Sequence, residues 1–550
     1  MKLGVVYRSL GIPILAVASV IAFASPKKTP QLPQIRVSTR LVRLDVIVRD
    51  KDGAVANLTK DDFTILDRGK PQDIAVVTAA ASAAPPQQAA RQLPPNTFSD
   101  LPRYEAAPPR SVTIVLLDNL NTLYGSTAES KYERTPVWIE GLALQRARID
   151  LLEFIKTLDP QDRVAIYGLR DSLRVLCDFT SDREQLLAVI SKYDTSSVTN
   201  RGVVEPGYHT APVDERAADP FENGAALARA GMANEERAQV TMAALASIAA
   251  HVANIPGRKN LVWLTANLPF SGAAMARVLG PANIAVYPID ARGLLARSVA
   301  TELIPGTADA DDLSGASGHM DNMPGQSSQP IGIATMQKVA EETGGQAFVN
   351  TNDLTGAIRK AIEDSAVTYT LGFYINRDSL DGKFHEIKVE VRGKGLSVRY
   401  PKGYFALSDT APTKDEDQRR LITAVQSPIE SSSIPLLATV ERVEQPPHWF
   451  KVACTIDAHD LSLVESGGLR KGAVKVYILE QDEGGKVLLQ SGKTFALQFP
   501  ENQYDALLKS GILLHELVQA EAKATTLRIL VEDPATTEVG SLIIPLSEVK

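Results

Sequence analysis

The chain has 550 residues, enough for about three or four domains. Its composition, 44% hydrophobic and 22% charged, is ordinary for a globular protein, and a formal net charge of −7 with no basic block argues against a phosphate backbone as partner. With only Cys177 and Cys454 and no CxxC pair, zinc held through cysteine is excluded; both lie in apolar, strand-like runs and read as buried free thiols.

Lys2 and Arg8 precede an apolar stretch from Leu10 to Ala24 that ends in Ala22-Phe23-Ala24. Those three parts make residues 1–24 a secretory signal peptide. Its removal takes the net charge from −7 to −9. The expected location is therefore exported, periplasmic or extracellular, with a membrane anchor as the alternative if the segment stays uncleaved. Residues 25–34 form a Pro-rich linker.

From residue 35 the pattern is that of strands. Val42, Leu44, Val46 and Val48 alternate with Arg43, Asp45, Ile47 and Arg49, Asp50 to Gly53 supplies a turn, and Phe63 to Leu66 and Ile74 to Val77 follow. We expect a small β unit over residues 35–78. Residues 79–110, rich in Ala, Pro and Gln, read as a linker.

Ser111 to Thr122, SVTIVLLDNLNT, organises the rest. A short apolar run, Val112 to Leu117, bounded by polar turn formers reads as a strand buried on both faces. Asp118, at its end, has two readings. It either caps the following turn or lines the carboxyl edge of a parallel sheet, where open α/β folds place ligand sites. Strands and helices alternate over residues 111–375, which predicts a parallel sheet with helices on both faces. The expected helices are 135–158, 181–193, 235–254, 273–279, 333–343 and 354–365. The expected strands are 163–169, 172–179, 261–264, 284–289 and 347–349. The few residues between 169 and 172 predict a hairpin, hence one antiparallel edge strand. Residues 195–235 read as an irregular insertion, and 300–330 as a Gly-, Ser- and Asp-rich loop. A β-rich extension covers 376–407, a charged linker 408–418, and a β-sandwich-like domain 419–550.

Four stretches, taken together, carry a family resemblance. They are Ile114 to Asp118 with Leu120 to Thr122; Leu158 to Ala165; Ile255 to Leu264; and Ala282 to Gly293. Thr343-Gly344-Gly345 and the segment His385 to Phe405 extend it. Over about residues 35–405 the chain resembles the bacterial VWFA-related domain proteins, which carry a von Willebrand factor type A domain. The resemblance implies a Rossmann-like α/β fold with a parallel sheet and one antiparallel edge strand, flanked by β-rich domains. It also implies a metal-ion-dependent adhesion site, in which a D-x-S-x-S loop, a distant Thr and a distant Asp hold Mg²⁺ or Mn²⁺ through oxygen.

The pattern is degenerate here. Asp118 stands first, Leu120 replaces the second oxygen ligand, and Thr122 keeps a hydroxyl at the third. After Leu264 the chain offers Thr265-Ala266-Asn267, so the distant Asp falls at Ala266 or Asn267. The candidate binding residues are Asp118, Asn121, Thr122 and Asn267. Asp118 and Thr122 are the candidate metal ligands, should the site keep Mg²⁺ or Mn²⁺; otherwise no cofactor is expected. No coherent catalytic set stands out. The sequence reading is therefore an exported, non-enzymatic, adhesion-like protein that binds a protein partner through the top of its α/β domain. The alternative is a structural or assembly protein of the cell envelope that uses its β-rich domains.

Overall fold

The computed structural model describes residues 39–79, 93–100, 111–124, 137–193, 220–255, 257–270, 272–291, 332–365, 368–376, 379–407 and 413–550. The proposed signal segment, most of the insertion 195–235 and the loop 300–330 lie outside them.

The apolar run beginning at Val112 forms the strand Ser111–Asp118, the middle of a five-stranded sheet. Its order is Ile284–Asp290, Lys259–Thr265, Ser111–Asp118, Asp162–Leu169, Leu173–Thr180. The first four are mutually parallel, while the last pairs antiparallel with Asp162–Leu169 through a turn at residues 170–172. The sheet is thus mixed, with its antiparallel strand at one edge. Both faces are covered, which is why the central strands carry no polar alternation. Ile114, Leu116, Leu261 and Trp263 pack on one side against Leu245, Ile248, Met275 and Met336. Val115, Leu117, Val262 and Leu264 pack on the other against Leu151, Ile155, Ile190 and Ile358.

The helices Ile333–Thr343 and Leu354–Ser365 have the bounds the sequence predicts. Gly344 caps the first of these in a left-handed conformation, φ 76°. At Gly345 a Cβ would stand 1.9 Å from the carbonyl oxygen of Val286, so that backbone approach requires glycine. Two expectations need correction. The helix expected from residue 235 begins at Pro220 and runs to His251, so part of the supposed irregular insertion is helical. The strand expected at 347–349 reduces to a single parallel bridge, Ile289 to Phe348.

The units expected separately at 35–78 and 376–407 share two sheets. Strand Thr39–Asp50 pairs antiparallel with Thr368–Asn376, from Thr39 opposite Asn376 to Ile47 opposite Thr368. Strand Phe63–Asp67 pairs with Phe384–Val391. Val46, Ile65, Leu371, Phe373 and Ile387 fill the core between these sheets. Strand Thr368–Asn376 therefore belongs to this β unit and not to the α/β unit expected over 111–375. Buried Asp364 ties the two units. It accepts from Arg49 Nη2 at 3.0 Å and from Tyr287 Oη at 3.0 Å, and it pairs with Arg399.

The C-terminal region folds as two antiparallel sheets face to face. One orders Ile512–Gln519, Trp449–Ile456, Leu436–Val443 and Thr97–Ser99. The other is built on Leu469–Gln481, flanked by Val487–Pro500 and Thr526–Glu532. Val440, Phe450, Ile456, Val474, Ile529 and Leu542 form the shared core. Thr97–Ser99 comes from the segment read as a linker, a correction with a physical reason: three residues are too few to show a period, and the partner Leu436–Val443 is remote in sequence. The helix Lys414–Gln426 begins inside the expected linker 408–418, behind a Thr413/Glu416 capping box. It covers the outer face of the second sheet through Leu421, Ala424 and Val425.

Candidate functional site

Asp118 is the last residue of the central strand, and the short helix Asn119–Tyr124 starts directly after it. Its carboxylate therefore meets the first turn of that helix. Oδ1 accepts the Asn121 backbone N–H at 2.9 Å, and Oδ2 accepts the Asn121 side-chain amide at 2.8 Å. Oδ2 also accepts the indole N–H of Trp263 at 2.9 Å. Trp263 lies on the adjacent parallel strand, opposite Leu116. A buried indole needs a partner for its single donor, and the strand-end carboxylate is that partner.

The second hydrogen of the Asn121 amide goes to Thr241 Oγ1 at 3.0 Å. Thr241, on the helix Pro220–His251, passes its own hydroxyl proton to the Arg237 carbonyl at 2.8 Å. Asn119 Oδ1 accepts from Tyr193 Oη at 2.7 Å. The end of the central strand is thus bonded to a neighbouring strand, to the helix lying over it and to the chain after Arg183–Lys192.

Burial follows from this closure. Asp118, Asn119 and Asn121 are 0% exposed and Thr122 is 1% exposed. Desolvation raises the Asp118 carboxyl, while hydrogen bonds from Asn121 and Trp263 hold it down; the balance stands at about 6.

The residues singled out in the sequence are only partly brought together. Asp118 and Asn121 are bonded to each other. Thr122 is adjacent, with its hydroxyl buried and unpartnered, as is Asn121 Oδ1. Asn267 is half-buried and joins the cluster through Thr265, whose Oγ1 donates to the Asn267 carbonyl at 2.8 Å. Its own Oδ1 accepts from the Leu268 N–H at 2.9 Å. Ala266, the other candidate for the distant acidic position, is buried. The expectation that Asp118, Asn121 and Thr122 form an accessible rim is therefore corrected: helix Pro220–His251 and the Trp263 ring lie against them.

The fit to Mg²⁺ or Mn²⁺ follows from the donors. Asp118 and Thr122 would have to lend lone pairs to the ion. The two oxygens of Asp118 already receive three N–H groups, one on Oδ1 and two on Oδ2, which take three of the carboxylate's about four acceptor positions. What is left is one lone pair on Asp118 Oδ1 and two neutral oxygens, Asn121 Oδ1 and Thr122 Oγ1, too few and too weakly charged for a hard dication. Among the described residues, no group of three His, Cys, Asp or Glu side chains is placed to hold a metal ion. The residues present do not fit the group.

Trp263 and Thr241 are the participants that sequence reasoning missed. The signal was present for Trp263: a tryptophan inside an apolar strand must find an acceptor, and Asp118 ends the neighbouring strand. Thr241 carries no such mark. The two thiols, Cys177 and Cys454, are buried, and burial pushes them up to about 11 and about 12.

No protein-family model and no curated protein matches the sequence. Among solved structures, an aerotolerance-related membrane protein from Bacteroides fragilis aligns with 46% of this chain and 98% of its own, at 14% identity and a TM-score of 0.25. BatB from Bacteroides thetaiotaomicron aligns over the same shares at 13% identity and a TM-score of 0.25. The pilus adhesin SpaC from Lactobacillus rhamnosus GG aligns with 90% of this chain and 62% of its own, at 8% identity and a TM-score of 0.23. Likeness at this level assigns neither family nor function. No helix among the described residues is long and apolar enough to cross a membrane.

Proposed function

We propose that this chain is an exported, non-enzymatic interaction protein of the VWFA-related kind. Its α/β unit is the scaffold, and its β-rich units join neighbouring chains. The observation that carries this reading is the closure of the strand-end cluster: Asp118 is fully buried and accepts three N–H bonds, so its carboxylate holds the fold together. The adhesion-like reading, in which Asp118, Asn121 and Thr122 touch a partner, loses its contact residues to that closure. The assembly reading gains support from the C-terminal sandwich, where Leu513, Leu517 and Leu437 stand exposed on one sheet face.

Two double variants of the mature chain separate these readings. Leu513→Lys with Leu517→Lys alters the sheet face; Asp171→Ala, in the turn that follows strand Asp162–Leu169 and exposed there, with Asn267→Ala alters the carboxyl end of the central sheet. Association measured by sedimentation, and capture of a defined partner from envelope extracts, are expected to be lost in the first and kept in the second. Loss confined to the second variant would return the contact to the top of the α/β unit.

A further inference from the structure

The strand Ile512–Gln519 is an edge. Trp449–Ile456 borders it on one side, and no strand among the described residues borders it on the other. Edge strands present unpaired backbone donors and acceptors, and proteins that stay apart blunt them with lysine, proline, bulges or brevity. Two other edges of this sandwich follow that rule. Thr97–Ser99 is three residues long, and Val487–Pro500 carries exposed Lys493 and ends in proline. Ile512–Gln519 has no lysine, no proline and an unbroken register.

Its outward face is apolar as well. Leu513 is 55% exposed and Leu517 54% exposed. Leu513 lies beside Thr455, which lies beside Leu437, itself 39% exposed. The outer face of the partner sheet is covered by helix Lys414–Gln426; this one, among the described residues, is open.

We propose that the occupant of this edge is a second copy of the same strand, antiparallel about a two-fold axis through His515. The inference rests on the reading that β-rich surfaces carry the contacts. Residues directly opposed in an antiparallel pair share a face. Centred on His515, Leu513 of each copy opposes Leu517 of the other, so two exposed leucine pairs close on the outward face. Glu516, the strand's only carboxylate, then opposes Leu514. Glu516 faces inward and is held by Lys493 of the facing sheet at 2.6 Å, so the register rests on the leucines: moving the axis to Leu514 or Glu516 sets Leu513 opposite His515 or Gln519 and breaks both leucine pairs. The pattern therefore selects both the partner and the register, and two four-stranded sheets become one of eight.

The test uses the mature chain and its single-cysteine additions, since both native thiols are buried. In this register the two His515 positions are directly opposed, with Cα atoms about 5 Å apart, within the span of a disulfide. Under mild oxidation His515→Cys is expected to give a disulfide-linked dimer, and Gln519→Cys, which faces Gly511 of the other copy, is expected not to. Sedimentation equilibrium of the unmodified chain is expected to show a dimer. Leu513→Lys with Leu517→Lys, checked for folding by circular dichroism, should raise its dissociation constant about tenfold or more. A monomer at every concentration, cross-linking at 519 as efficient as at 515, or a dimer indifferent to the two lysines would each overturn the proposal. If the chain is monomeric yet the lysine variant still loses its partner from extracts, the self-pairing falls while the assembly reading stands. If neither measurement responds, both fall.

Discussion

The indole N–H of Trp263 points at Asp118 Oδ2 across 2.9 Å, from one buried parallel strand to the end of the next. This contact turns a residue in a ligand-site position into a structural one. It also predicts the cost of breaking it. Trp263→Phe keeps most of the ring and removes the donor, leaving a buried carboxylate one hydrogen bond short. The expected loss is about 1–3 kcal/mol of stability, read as a shift in the urea midpoint by circular dichroism. A change within error would mean the bond is not made in solution.

Asp118 itself predicts a pH dependence. Burial raises its carboxyl from 3.8 to about 6, against the hydrogen bonds from Asn121 and Trp263. A raised folded pKa means that the folded state favours the protonated acid. Stability is therefore lost as pH rises from about 4 to about 6, by roughly 3 kcal/mol in total at 1.36 kcal/mol per unit. Asp118→Asn removes that ionisation. The stability difference between the native chain and the variant should change across this window and stay flat above it. A difference independent of pH from about 4 to about 7 would show that Asp118 titrates normally.

The junction between the α/β unit and the sandwich predicts a second pH effect. His251 ends the helix Pro220–His251; its Nδ1 lies 2.8 Å from the Glu430 carbonyl and its Nε2 3.3 Å from Asp178 Oδ1. Phe179 stacks on the imidazole, and Tyr167 Oη donates to the same Asp178 oxygen at 2.7 Å. Burial lowers the imidazole pKa, but Asp178 and Glu430 outweigh it and the net direction is up. The stabilisation from charged His251 is thus full below its ordinary value and lost as pH rises through the raised one. Burial pushes the Glu430 carboxyl up to about 7, opposed by His251 and Arg528, so its ionisation also weakens the junction between about 4.5 and about 7. Asp178 is held low, chiefly by His251 against its own burial, and acts only in acid. Hydrogen exchange at residues 248–254 and 430–434, corrected for intrinsic rates, should quicken between about pH 6 and about pH 8. Glu430→Gln should reduce that change. Equal protection at both pH values would contradict it.

How far the sequence could be read is clearest in the strands. The run Val112 to Leu117 announces burial on both faces, because a strand covered by helices on two sides has no polar alternation to show. The short turn at 170–172 announces the antiparallel edge. What a local pattern lacks is the identity of a distant partner. The alternation from Val42 to Val48 marks a strand, yet nothing near it says that Thr368–Asn376 completes its sheet or that Asp45 and Ile47, on its other face, are buried too. Asp118 shows the same limit. Its position permits either a cap or a ligand site, and the choice depends on Trp263, about 145 residues away along the chain.

Asp364 gives a further prediction. It is 0% exposed and neutralises Arg49 and Arg399, each 25% exposed, from two strands of the β unit. Asp364→Ala would leave both guanidinium groups without their shared carboxylate at the boundary of the two units. The expected cost is about 3 kcal/mol, seen as a lower thermal midpoint and faster limited proteolysis. A midpoint shift below about 1 kcal/mol in equivalent stability would show that the two arginines find other partners.

The central claim is that the strand-end carboxylate is occupied by protein donors. Calorimetric titration of the mature chain with MnCl₂ tests it most directly. The account predicts no saturable one-site heat and the same trace for Asp118→Asn; a saturable site present in the native chain and abolished by that substitution would contradict it.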